Sequence, residues 1–86
     1  MEKKLVGYVI AYFAKIGVAA IEIESGEIRI GDKVQFKGHT TDFIQEIESI
    51  QIEKKQADTA AAGDSIGIKV EERTREGDEV YKIISE

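Results

Sequence analysis

Between residues 18 and 24 the chain alternates, with Ala19, Ile21 and Ile23 on one side and Glu22 and Glu24 on the other. That two-residue period is the mark of a strand with one buried face. Residues 5–13 before it are apolar on both sides, as in a strand covered on both faces, and they turn at Ala14-Lys15-Ile16-Gly17. After a turn at Ser25-Gly26-Glu27, Ile28, Ile30, Val34 and Phe36 are predicted to keep an even-numbered inward face as far as Lys37. Residues 38–42 connect to the next apolar segment, where Ile47 is odd whereas Ile50 and Ile52 are even. A period-two strand changes phase only by taking in an extra residue, so a bulge or sharp bend is predicted near Glu48-Ser49.

Residues 54–62 are polar and rich in alanine. They read as the longest loop and the mobile part of the domain, with one helical turn around Thr59-Ala60-Ala61. Ile66, Ile68 and Val70 then face inward, and Gly67 between them marks a close backbone approach or a kink. A charged loop over residues 71–78 leads to a last strand over residues 79–84.

Three Gly-Asp pairs, Gly31-Asp32, Gly63-Asp64 and Gly77-Asp78, each precede an apolar run. Glycine reaches positive φ without steric cost and aspartate bonds nearby backbone, so each pair reads as a tight turn feeding a strand. The sum is an all-β domain of six strands spanning residues 1–86. So many short strands are expected to hide their edges, and closure into a small Greek-key β-barrel is the favoured architecture, with an open two-sheet sandwich as the alternative.

Composition narrows the function. The 86 residues allow one core, and with no cysteine available apolar packing must stabilise it. A chain without cysteine fits a reducing cytoplasm, which is the expected location. Lys3-Lys4 followed by an apolar stretch imitates a secretory leader, but Gly7 and two tyrosines interrupt it and cleavage near Ala20 would remove two strands, so it reads as a strand. The stretch is too short to span a bilayer, and no membrane partner is expected. Seventeen acids against 12 bases give a net charge of −5. That balance disfavours broad binding to phosphate backbones and leaves room only for a local basic patch.

The order of turns carries a resemblance. Val6-Gly7-Tyr8-Val9, Val18-Ala19-Ala20-Ile21 and Gly26-Glu27-Ile28-Arg29-Ile30-Gly31-Asp32-Lys33-Val34, with the Ile47 to Ile52 segment and Ala60-Ala61-Ala62-Gly63-Asp64-Ser65-Ile66-Gly67-Ile68, resemble the second, β-barrel domain of translational GTPases such as elongation factor Tu and initiation factor two. Small stand-alone proteins described as translation-elongation-factor-like are similar over nearly the whole chain. The resemblance implies an accessory barrel that docks on a ribosome, an RNA or a protein partner. No G-x-x-x-x-G-K-[ST] loop is present, so the chain is not expected to bind GTP by itself. Similar barrels occur at the C-terminal end of collagenase-like peptidases, which implies the alternative role of a protein-interaction accessory.

Candidate sites are sparse. His39 has Asp42 three residues on, but no Ser or Cys nucleophile stands in a recognisable context, and a turn histidine is the favoured reading. Asp32, Asp64 and Asp78 lack the spacing of a calcium loop and read as turn residues. No catalytic residue, metal ligand or cofactor is therefore expected. Lys37, His39, Lys54, Lys55, Arg73 and Arg75 lie in or beside loops and are the candidate residues for binding RNA or a partner. Tyr12, Phe13 and Phe43 would supply stacking for an RNA surface, or else core packing.

Overall fold

The computed structural model describes residues 1–85, and every regular element within them is a strand. The strands are β1 (Glu2–Phe13), β2 (Val18–Ile23), β3 (Glu27–Arg29), β4 (Lys33–Lys37), β5 (Asp42–Glu46), β6 (Ile50–Ile52), β7 (Lys55–Ala57), β8 (Thr59–Ala61), β9 (Ser65–Lys69) and β10 (Glu79–Ser85). An 8-stranded antiparallel sheet runs in the order β5-β4-β10-β1-β2-β9-β6-β7, and β3 pairs with β8 in a 2-stranded sheet.

The all-β class holds, and two details of the expectation are corrected. The described residues form ten strands rather than six, and strand pairing leaves β5 and β7 as the ends of the large sheet instead of closing a barrel. The extra strands are three-residue pieces, too short for alternation to reveal. Residues 54–62 are thus not a long loop with a helical turn. β7 and β8 occupy them, and Ala60 of β8 is buried opposite Ile28 of β3.

The sheet is nevertheless strongly curled. β5 and β6 stand near opposite ends of its order yet are joined only by residues 47–49, a link that spans at most about 14 Å between Glu46 and Ile50. The predicted bend near Glu48-Ser49 lies in this link. At the seam, the buried Gln45 side chain of β5 donates to the Lys69 carbonyl and accepts from the Glu71 amide. It bonds the backbone at the end of β9 as a neighbouring strand would.

Inside the curl lie Val9, Ile21, Ile23, Ile28, Val34, Phe36, Ile47, Ile50, Ile68 and Val80, with the Phe36 and Phe43 rings stacked at 5.0 Å. Ile30 departs from the predicted inward face and is 43% exposed. It occupies the second position of the Gly31-Asp32 turn, where the chain reverses and the even-numbered phase is interrupted.

The three Gly-Asp pairs build one repeated joint. The amides of Asp32, Asp64 and Asp78 donate to the carbonyls of Arg29, Ala61 and Arg75 at 3.1, 3.0 and 3.0 Å, with the intervening glycines at φ 97°, 97° and 93°, the geometry of a type II turn. Each turn then clamps one buried core residue. Gly31, Gly63 and Gly77 donate to the carbonyls of Ile47, Ile23 and Val9, each at 2.8 Å, and those residues donate back to the carbonyls of Asp32, Asp64 and Asp78.

Candidate interaction surface

The register shows which of the candidate residues come together. Glu79 of β10 lies opposite both Lys37 and Tyr8, and the Gly38 backbone lies against the Asp78 side chain, so the β4–β5 connection and the residue 71–78 loop share one end of the sheet. Lys37, His39, Arg73 and Arg75 all belong there. Lys54 and Lys55 lie elsewhere, because Ile52 pairs with Ile66 near the start of β9 whereas Arg73 follows its end. Glu53 and Lys54 form the two-residue turn of the β6–β7 hairpin, both with positive φ. The six candidates do not form one basic face.

Within the larger group, acids are interleaved. Lys37 Nζ lies 3.2 Å from the Asp42 carboxylate, and Glu71, Glu72 and Glu76 stand beside Arg73 and Arg75 in the same loop. The Arg73 guanidinium lies over the Tyr12 ring at 5.9 Å, and Phe13, the next residue of β1, is 51% exposed. Phe43 is buried and Tyr12 packs against the core, so Phe13 is the exposed member of the three aromatics. His39 is exposed in its bend.

A more organised polar group lies on the outer face of β1, β10, β4 and β5. Gln35 is buried between Val34 and Phe36 in sequence, and Tyr81 and Ile44 stand opposite it on the two neighbouring strands. Its Oε1 accepts from Lys3 Nζ at 2.9 Å and its Nε2 donates to Asp42 at 2.7 Å. Lys3 Nζ also sits 4.4 Å from the Tyr81 ring centre, and the Tyr81 hydroxyl donates to Glu79 at 2.8 Å. The bonds from Gln35 and Lys37 hold the Asp42 carboxyl below its ordinary range, while the bond to Glu79 raises the Tyr81 hydroxyl. Sequence reasoning missed Lys3, Gln35, Asp42 and Tyr81 as a group. A glutamine inside the apolar run 34–36 is the one signal that marked the place.

The glycine-linked aspartates all serve their turns, and Asp32 Oδ2 also lies 3.4 Å from Lys82 Nζ. Asp32, Asp64 and Asp78 each accept, through Oδ2, from the amide three residues earlier, at 2.9, 2.9 and 2.8 Å. Their carboxylates act on three separate turns. Among the described residues no cluster of His, Cys, Asp or Glu is arranged to hold a metal ion.

With this geometry in hand, the chain can be set beside known proteins. The family model described as elongation factor Tu domain 2 matches residues 17–80. A collagenase of Porphyromonas gingivalis is 43% identical over 82 residues, covering 94% of this chain and 23% of the collagenase. An uncharacterized protease of Methanocaldococcus jannaschii is 36% identical over 77 residues, covering 88% of this chain and 19% of that protein. The chain thus spans about a fifth of the length of these curated relatives. Among solved structures, the C-terminal domain of a Geobacillus thermoleovorans protein described as a U32 peptidase superposes with a TM-score of 0.86 at 26% identity, covering 93% of this chain and 92% of that domain. The GDP-bound aIF5B of Aeropyrum pernix shares the fold, with a TM-score of 0.64 at 17% identity over 93% of this chain and 14% of its own.

Proposed function

The chain belongs to the elongation factor Tu domain 2 family, and on that premise we propose that it is a non-catalytic, protein-binding accessory module working with a peptidase of the U32 type. The observation that carries this reading is the likeness to the C-terminal domain of such a peptidase, which extends over 93% of this chain and 92% of that domain. The collagenase relative supports it, because its likeness also covers 94% of this chain. The surface agrees with a protein partner. Its candidate cations are divided between two ends and interleaved with acids, unlike the continuous basic stripe that tracks a phosphate backbone.

The test is capture of a recombinant U32-type peptidase body by the tagged chain, read against an unrelated β-domain of equal charge. Specific capture supports the reading, and equal retention by the control removes it.

A second reading, docking on RNA or a ribonucleoprotein, is favoured by one local feature. The Arg73 guanidinium over the Tyr12 ring combines charge with an aromatic face. Co-sedimentation with ribosomes at low and high salt distinguishes the two. Association that weakens steeply with salt and is lost in Arg73→Ala would favour RNA, and no association at either salt would exclude the ribosome-linked version.

A further inference from the structure

We propose that the outer face of β1, β2 and β9 docks an amphipathic helix of a protein partner, with a basic residue at the Glu22 end and an acidic one at the Lys69 end. This rests on the reading of the chain as a protein-binding module, and it names the surface and the kind of segment that surface takes.

Cross-strand register sorts this face into three rows. Ala19, Ile21, Ile66 and Ile68 are buried in the core, so their neighbours along β2 and β9 point outward. The first row runs Glu79-Tyr8-Glu22-Ser65 across β10, β1, β2 and β9. The second runs Ala11-Ala20-Gly67-Gln51 from β1 to β6. The third is Phe13-Val18-Lys69, with Lys15 in the turn that joins Phe13 to Val18. One row is acidic, the middle one is uncharged, and the last is apolar with a basic end.

The apolar members of these rows are open to solvent. Phe13 is 51% exposed, and Ala11, Val18, Ala20 and Gly67 are partly exposed. Ile10, the extra residue of the bulge between Val9 and Ala11, is also exposed, and bulges serve to re-aim a side chain. Residues 5–14 carry no charge, so nothing on β1 breaks the apolar surface. Exposed apolar side chains gathered in this way mark an interaction site. Among the described residues, Glu22, Lys15 and Lys69 enter no ion pair and are available to a partner.

The rows select the occupant. From Glu22 to Val18, the residue level with Lys69, β2 advances about 13 Å, a little over two turns of helix. A helix with Arg at one position, Leu three and four residues on, and Glu seven residues on presents all four on one side. Laid along β2, it sets Arg against Glu22, the leucines over Ala20 and Glu against Lys69, and its dipole runs in the same sense. The small side chains of the middle row let the helix lie close. A second copy would set those same small residues against one another and leave the centre unfilled. A phosphate backbone would meet Glu22 and Glu79.

Two labelled peptides, stapled as helices on the side away from these four residues, test this: one with the core Arg-Ala-Gln-Leu-Leu-Ala-Gln-Glu and a twin with Arg and Glu exchanged. The first is expected to shift the NMR amide signals of Ala11, Val18, Ala20 and Gly67 and to bind at least about tenfold more tightly than its twin. Ala20→Arg fills the centre of the face and should weaken binding at least about tenfold. Phe13→Ser serves the same purpose if the arginine variant does not fold. Glu22→Lys combined with Lys69→Glu should make the twin the tighter ligand. Equal binding of peptide and twin, or amide shifts confined to other faces, overturns the proposal. So does a wild-type dimer in sedimentation that Ala20→Arg dissociates, since a second copy then occupies the face. If the peptidase body is captured equally by wild type and Ala20→Arg, the face is refuted while the module reading stands. Selective binding of the first peptide without capture of the body supports the face and removes the module reading instead.

Discussion

Gln45 is bonded across the seam of the curled sheet to Lys69, its Nε2 donating to the Lys69 carbonyl at 2.9 Å while its Oε1 accepts from the Glu71 amide at 2.8 Å. One side chain thus satisfies a donor and an acceptor where β5 and β9 are not paired. Gln45→Leu keeps the volume but strands both backbone groups, at a cost of about 2–4 kcal/mol. Gln45→Glu keeps the acceptor but sets a buried carboxylate oxygen against the Lys69 carbonyl, so its loss should be at least as large. Urea unfolding measures both, and a leucine variant as stable as wild type would show that the bridge contributes nothing net.

The three turn aspartates make the same local bond in different surroundings. Asp78 is buried, with Gly38 against its side chain, whereas Asp32 and Asp64 are partly exposed. Replacement by alanine should cost about 1 kcal/mol at Asp32 or Asp64 and about 2–3 kcal/mol at Asp78, where the freed Arg75 amide is less accessible to water. Denaturation midpoints for the three variants give the order. Equal losses would mean that the turn bond alone matters.

Glu53 and Lys54 occupy the left-handed region with φ 52° and 66° in the β6–β7 turn. Side chains other than glycine, asparagine and aspartate are disfavoured there, at about 1 kcal/mol or more each. The double replacement Glu53→Asn with Lys54→Gly should therefore raise stability by about 1–2 kcal/mol and leave the strand register unchanged. Thermal unfolding, with cross-strand contacts between Ile52 and Lys55 as the structural check, decides this.

These particulars explain what could and could not be read in advance. The inward faces at Ala19, Ile21 and Ile23 and at Ile66, Ile68 and Val70 were legible because a half-buried strand writes its period into the sequence. So was the bend, because Ile47 and Ile50 differ in parity yet both are buried. The β6–β7 hairpin was hidden because Glu-Lys is not the usual composition of such a turn. β8 was hidden because Thr59-Ala60-Ala61 has little strand propensity of its own and is fixed by its pairing with β3. For the candidate site, loop position alone selected Lys37, His39, Lys54, Lys55, Arg73 and Arg75. The Lys3, Gln35, Asp42 and Tyr81 group depends on the β1-β10-β4-β5 order, which joins residues from the two ends of the chain.

Asp42 gives a prediction in pH. Its carboxyl lies below the ordinary value of 3.8, first because Gln35 donates to it and second because Lys37 does, with the Lys37 charge adding to the effect. A carboxyl whose folded pKa is depressed stabilises the fold fully above its unfolded pKa and loses that contribution as pH falls through the folded value. The contribution of Asp42 is therefore present at neutral pH and lost progressively below about pH 4. Asp42→Asn should flatten stability against pH in that acid range, with little change in the slope near neutrality. Gln35→Leu and Lys37→Ala should each move the Asp42 titration up toward the ordinary value, the first by removing a neutral hydrogen bond and the second by removing a hydrogen bond and a charge. Carboxyl titration by NMR reads both shifts. Added salt should shrink the Lys37 share of the shift and leave the Gln35 share, and no upward shift in either variant would remove the assignment.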